Sequence, residues 1–235
     1  MGQIYLVRHG QASFGSADYD QLSPLGSEQA RLLGEWFANS HQTFHRVVTG
    51  NLRRHRQTAD ACIGALPKAQ RVDTDWLTDP DFNEYDHHEV LTRHRPEFED
   101  PEQVKRFLAS SPNARFAFQD VFQAAMSRWM SGRYDADYRE PWPLFRQRCT
   151  GALRRLVDDA GKSQNIIVFT SGGTIATICQ HLLGLQDRQT AELNWSLANC
   201  GITKLLYRPG VVTLSYLNNY AHLEWLGQPN SVTYR

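Results

Sequence analysis

The stretch Ile4–Gly10, IYLVRHG, is an apolar run that stops abruptly at an arginine, a histidine and a glycine. Ile4 to Val7 reads as a short buried strand, so Arg8, His9 and Gly10 stand at its carboxyl end. In a parallel α/β sheet, ligands sit beyond those ends, where loops and helix N-termini converge. The question is whether the surrounding sequence builds such a sheet.

It does on both sides. LSPLGSEQARLLGEWF (residues 22–37) places Ser23 as an N-cap and Pro24 at the first helical position, with Leu25, Leu32, Leu33, Trp36 and Phe37 on one face. RVVT (46–49) reads as a second strand, followed by a helix whose inner stripe is Leu52, Ala59, Cys62, Ile63 and Leu66. NIIVF (165–169) is an apolar strand, and TIATICQHLLGL (174–185) a helix ending near Gly184. ITKLLY (202–207) and VVTLSYL (211–217) flank Arg208-Pro209-Gly210 and predict a hairpin. Alternating strands and helices give the fold class α/β: a three-layer sandwich around a mostly parallel sheet.

The middle of the chain differs. From Thr78 to about Pro143 the strand signal vanishes and prolines recur at Pro80, Pro96, Pro101, Pro112, Pro141 and Pro143. Within it Phe118, Val121, Phe122, Ala125, Met126, Trp129 and Met130 keep a helical spacing. The region (about 78–143) is expected to be a helical insertion over the active-site rim of a single domain spanning 1–235. Its aromatic stripe is expected to pack on the sheet domain.

The 235 residues are 41% hydrophobic, enough for one good core. Lys plus Arg number 25 and Asp plus Glu number 25, so no net field recruits a nucleic acid or a membrane surface. Cys62, Cys149, Cys179 and Cys200 are scattered and form no C-x-x-C pair, which suggests thiols in a reducing compartment. No apolar stretch approaches a membrane span, and a cytoplasmic protein is expected. Oligomeric state is not written in the sequence.

Three loops on the expected rim suit a phosphate: Arg8-His9-Gly10, TGNLRRHRQTA (49–59) and TSGGT (170–174), the last with two glycines at a helix N-terminus. A neutral imidazole attacks phosphorus without prior deprotonation. Phosphoryl transfer spreads charge over three oxygens, which arginine's planar fork matches, and the leaving oxygen needs an acid. The expected set is therefore one histidine, two arginines and a carboxylic acid.

LVRHGQAS (6–13), LSPLGSEQA (22–30), LRRHRQTA (52–59) and FNEYDHHEVL (82–91) together resemble the histidine phosphatase superfamily, the phosphoglycerate mutase-like family. The resemblance spans Ile4 to about Leu223. It implies that His9 is the nucleophile that becomes phosphorylated and that Arg8 and Arg54 bind the phosphoryl oxygens. The segment L-x-R-A-x-Q-T-A selects Arg54 over Arg53 and Arg56. Glu84 is implied as general acid, then as base for the hydrolytic water, and no metal or other cofactor is implied. Gln11 and Ser13, in the first motif, are further candidates.

One departure stands out. The family's S-H-G-G run reads Thr170-Ser171-Gly172-Gly173 here, so Ser171 occupies the second histidine's place beside Gly172. A hydroxyl donates one hydrogen bond but brings no charge, and a lost donor of this kind costs about 2.7–4 kcal/mol if nothing substitutes. Ser171→His is accordingly expected to raise turnover. His222, after the last strand, is a candidate substitute if that strand runs parallel to the first; the commoner fate of such a residue is a solvent-facing loop.

Other classes are weaker. HHEVLTRH (87–94) lacks the H-E-x-x-H spacing of a zinc helix, and His41 and His45, although four apart, fall at a helix end. The readings carried forward are a phosphatase of full or reduced activity, a phosphoglycerate mutase-like phosphotransferase, and a low-activity or non-catalytic module that binds a phosphorylated small molecule or phosphoprotein. Arg93, Arg95, Arg115 and Trp129 of the insertion are expected to shape specificity.

Overall fold

The computed structural model describes residues 1–13, 20–71, 76–225 and 230–234. The elements in chain order are β1 (Gly2–Arg8), α1 (Pro24–Asn39), β2 (Arg46–Thr49), α2 (Arg53–Gly64), β3 (Leu77–Thr78), α3 (His87–His94), α4 (Pro101–Ser110), α5 (Ala114–Met130) and α6 (Trp142–Asp158). They continue with β4 (Asn165–Thr170), α7 (Gly172–Leu183), α8 (Asp187–Ser196), β5 (Ile202–Arg208), β6 (Val211–Asn219) and α9 (Ala221–Glu224). The chain divides into two compact units, Met1–Asn83 with Cys149–Arg235, and Glu84–Arg148.

The first unit carries a six-stranded sheet of order β3-β2-β4-β1-β5-β6. β3, β2, β4 and β1 are mutually parallel, while β5 runs antiparallel to β1 and β6 antiparallel to β5. Two reversals bring β6 back into the direction of β1. The strands expected at 4–7, 46–49 and 165–169 are all present, and so is the hairpin, closed at Gly210 with φ +72° where only glycine sits without strain. β3 is an addition. Its two residues are too few to carry an alternation, and they pair with Val48 and Thr49.

Side chains alternate across the sheet. Tyr5, Val7, Val47, Ile167 and Phe169 share one core with Ala30, Leu33 and Phe37 of α1 and Ala59, Cys62 and Ile63 of α2. Ile4, Leu6, Val48, Ile166 and Val168 point the other way and are fully buried, and α7 packs on that side against β1 and β6. α1 starts as its sequence demands: the Ser23 hydroxyl accepts from the Gly26 N–H at 3.0 Å and Pro24 opens the helix. Of its apolar stripe, Leu32, Leu33 and Phe37 are buried, whereas Leu25 and Trp36 are partly exposed.

The second unit is helical. In α5 the stripe residues Ala125, Met126, Trp129 and Met130 are buried, while Phe118, Val121 and Phe122 stay partly exposed. Trp129 meets Tyr85, Trp142 and Phe145, at ring-centroid separations of 4.9, 5.1 and 5.5 Å. The stripe expected to pack on the sheet domain thus finds its ring partners within its own unit. α3 and α4 lie against α5, and Arg139 clasps Glu89 and Asp86 at 3.1 and 2.6 Å. This unit begins later than Thr78 because the intervening segment is tied to the sheet. The Asp79 N–H donates to the Thr49 carbonyl, and Thr170 Oγ1 and Thr174 Oγ1 donate to the Phe82 and Asn83 carbonyls.

Candidate active site

β1 ends by feeding Arg8 and His9 into a dense set of backbone contacts. The His9 N–H donates to the Thr170 carbonyl at 2.9 Å. The Cys200 N–H donates to the Arg8 carbonyl at 3.0 Å, and Asn199 Nδ2 donates to the His9 carbonyl at 3.1 Å. Cys200 adopts φ +57°, an uncommon conformation for a side chain with a Cβ, in order to make that approach. Gly10 follows because nothing larger fits: a Cβ there would lie 2.3 Å from the Gly26 carbonyl oxygen, and one on Gly26 would lie 2.1 Å from that of Gln11. The two motif glycines therefore mark where the loop after β1 crosses the first turn of α1.

The remaining motif residues lock this crossing. Thr58 Oγ1 accepts from the Gly10 N–H at 3.0 Å and donates to the Arg54 carbonyl at 2.7 Å, joining the first loop to α2. Gln29 Oε1 accepts from the Gln11 N–H at 2.9 Å, while its amide donates to the Ser231 carbonyl and to Thr233 Oγ1.

The His9 ring is 5% exposed, and its Nδ1 lies 2.8 Å from the Gly10 carbonyl oxygen. That oxygen only accepts, so Nδ1 carries the proton and Nε2 is left with its lone pair. Burial, followed by the charges of Arg54 and Arg8, holds the pKa well below the usual imidazole range. The ring is therefore neutral near pH 7, with Nε2 in the form that attacks an electrophile. Arg54 is 5% exposed and its Nη1 pairs with Asp20 Oδ1 at 2.8 Å; Asp20 also receives the Arg53 N–H at 2.8 Å. Arg8 Nη1 donates to the carbonyls of Leu197 and, at 2.9 Å, Tyr234. Its Nε passes the start of α7, where a Cβ on Gly172 would lie 3.4 Å away.

Ser171 is completely buried at the N-cap of α7, yet its hydroxyl does not cap the helix. Its Oγ lies 2.6 Å from Nε2 of His55, which is also completely buried and whose ring is 5.8 Å from that of His9. Reading the sequence alone passed over His55. It stands within a run of arginines that looks like a solvated helix face, although it falls where L-x-R-A-x-Q-T-A has alanine, and that mismatch was the available signal. Its position bears on the expected gain from Ser171→His, because Ser171 Oγ already lies 2.6 Å from His55 Nε2 and a larger side chain at 171 has to displace that ring.

Each of the other candidates has its own surroundings. Gln11 Oε1 accepts from Ser23 Oγ at 2.8 Å. Ser13 donates its N–H to the Gln21 carbonyl at 2.8 Å. Glu84 is the first residue of the second unit, and its Oε1 accepts from the Tyr85 N–H at 3.3 Å. His222 is not in a solvent-facing loop. It is 3% exposed in α9, neither ring nitrogen has a hydrogen-bond partner among the described residues, and burial pushes its pKa down to about 4. His87 and His88 are exposed, and among the described residues no three His, Cys, Asp or Glu side chains converge as metal donors.

Comparison with known proteins bears on the fold and the family. The mouse mitochondrial serine/threonine-protein phosphatase PGAM5 is 40% identical over 76 residues, which is 32% of this chain and 26% of the mouse protein's length. A mutant phosphoserine phosphatase from Entamoeba histolytica, solved with phosphoserine, superposes with a TM-score of 0.65 over 95% of this chain and all of that one, at 18% identity. A phosphoglycerate mutase from Bacillus anthracis str. Sterne gives 0.64 over 94% of both chains, at 17% identity. The profile of the histidine phosphatase superfamily (branch 1) matches residues 4–220, so the chain belongs to that superfamily.

Proposed function

We propose that the protein is a metal-independent phosphomonoester hydrolase that works through a phosphohistidine at His9. The observation that carries this reading is the Nδ1 contact to the Gly10 carbonyl, which leaves Nε2 as a neutral nucleophile. In the first step Nε2 attacks phosphorus while the ester P–O bond breaks, and the leaving oxygen takes a proton from Glu84. In the second, water attacks the phosphohistidine as Glu84 takes its proton, the P–N bond breaks and inorganic phosphate departs. Arg8, Arg54 and the amides at the start of α7 spread the charge of the transferring group. Glu84 is assigned this role on the sequence resemblance, and it follows Asn83 directly in the chain.

The substrate class is a phosphorylated small molecule or a phosphoprotein, and the four buried free thiols suit a reducing compartment such as the cytoplasm. Turnover of an aryl phosphate by the native chain, in the presence of a strong chelator, tests the proposal. We expect activity that His9→Ala abolishes and that chelation leaves intact. Tight binding of phosphate without turnover would instead identify the non-catalytic module. Label passing from one sugar phosphate to another, without release to water, would identify the phosphotransferase.

A further inference from the structure

Two completely buried threonines stand where β4 passes into α7: Thr170 is the last residue of the strand and Thr174 lies in the first turn of the helix. Each donates its hydroxyl to the backbone just before Glu84. Thr170 Oγ1 donates to the Phe82 carbonyl at 2.5 Å, and Thr174 Oγ1 to the Asn83 carbonyl at 2.8 Å. The Thr170 carbonyl meanwhile accepts the His9 N–H at 2.9 Å. One residue therefore grips the backbone of the nucleophile with its carbonyl and the backbone leading to Glu84 with its hydroxyl.

Asn83 is held by its side chain as well. The Asn51 N–H donates to Asn83 Oδ1 at 2.9 Å, and Asn83 Nδ2 donates back to Asn51 Oδ1 at 2.5 Å. Asn83 Oδ1 also lies beside Nδ1 of His55, since a Cβ on Gly50 would stand 2.6 Å from the one and 2.3 Å from the other. The His55 ring is in turn 5.8 Å from that of His9. The Asn83 carbonyl shares one planar peptide with the Glu84 nitrogen. A hydroxyl on that carbonyl thus fixes the plane from which Glu84 extends, and does so next to His55.

We propose that Thr174, with Thr170 and Asn51, is a positioning residue for the general acid: it holds the Asn83–Glu84 peptide so that the Glu84 carboxyl meets the leaving oxygen. This rests on the phosphohistidine reading above and deepens it. The two threonines touch no substrate and act through Glu84. Regular structure does little to hold this segment, which carries one short 3-10 turn at Pro80–Phe82. A misplacement of about 1 Å costs on the order of a hundredfold in rate. Here that loss falls only on substrates whose leaving oxygen needs a proton.

The test compares leaving groups. With a covalent intermediate, kcat/KM reads only the steps up to phosphorylation of His9, and so the acid and not the later base. For a primary alkyl phosphate, Thr174→Val should lower kcat/KM by about a hundredfold. For nitrophenyl phosphate, whose leaving group departs as an anion, the loss should stay below about threefold. Thr174→Ser, which keeps the hydroxyl, should restore the alkyl substrate to near the native value. Asn51→Ala, at an exposed position, should show the same selectivity to a smaller extent. Glu84→Gln should show it in full, and Thr174→Val should add no further loss to it. Equal losses on the two substrates, or losses that multiply in Glu84→Gln/Thr174→Val, would overturn the proposal.

Amide hydrogen exchange over residues 79–84 reads the tie without turnover. Faster exchange in Thr174→Val and native-like exchange in Thr174→Ser are expected, and unchanged exchange in Thr174→Val contradicts the proposal. Failure of the phosphohistidine reading is separately visible, as an inactive native chain in which Thr174→Val nevertheless loosens this segment.

Discussion

Thr58 shows how much a single side chain does here. It receives the N–H of Gly10 and returns a hydrogen bond to the carbonyl of Arg54, so the nucleophile's loop and the second arginine share one fully buried hydroxyl. Thr58→Val keeps the shape and removes the oxygen, leaving the Gly10 N–H buried without a partner. Urea unfolding should show a loss of about 1–3 kcal/mol, and kcat/KM should fall as the two loops drift; equal stability would mean water replaces the hydroxyl. At this scale the sequence brings His9 and Arg8 forward by their place at the end of an apolar strand, and Arg54 through the resemblance to L-x-R-A-x-Q-T-A. It was unreadable for His55, whose meaning lies in a contact to a residue 116 positions away.

Strands and helices were legible in proportion to their apolar content. β1, β2 and β4 are continuous apolar runs, and α1 announces its start with Ser23 and Pro24. β3 was invisible because two residues have no period, and the binding of Phe82 and Asn83 to Thr170 and Thr174 leaves no pattern in composition. The crossing of the β1 loop over α1 makes a sharper prediction. Gly10→Ala sets a Cβ against backbone at 2.3 Å, which no rotamer relieves, so thermal melts should report destabilisation of about 3 kcal/mol. Gly64, the last residue of α2, has open space around its Cα. Gly64→Ala should therefore stabilise the protein by about 0.5–1 kcal/mol. Opposite signs at two glycines separate close approach from backbone freedom, and a neutral Gly10→Ala would refute the crossing.

Across the molecule, burial of neutral histidines couples stability to pH. His9 and His55 are held well below the usual range, and His222 at about 4, in each case chiefly by loss of hydration. The unfolded chain protonates these rings below about 6.5 while the folded one does not, so acid favours unfolding. Their stabilisation is complete above pH 6.5 and is lost as pH falls below it, for His222 down to about 4. Each such group contributes up to about 1.4 kcal/mol per pH unit in that window. His222→Leu should flatten the profile by one such contribution; an unchanged slope would show that the ring is hydrated.

The polar residues near the end of the chain were equally silent in sequence. Ser231, Thr233 and Tyr234 have no hydrophobic period, yet their backbone and hydroxyl oxygens hold Gln29, Asn199 and Arg8. Such long-range polar ties are specified only once the sheet has brought their partners together.

The central claim is tested most directly by exposing the protein to a phosphorus-32-labelled phosphomonoester, quenching in alkali and mapping the label by mass spectrometry. The account predicts acid-labile phosphate on Nε2 of His9 within one turnover, absent from His9→Ala. Label on Ser171, or product release with no labelled His9, would contradict it.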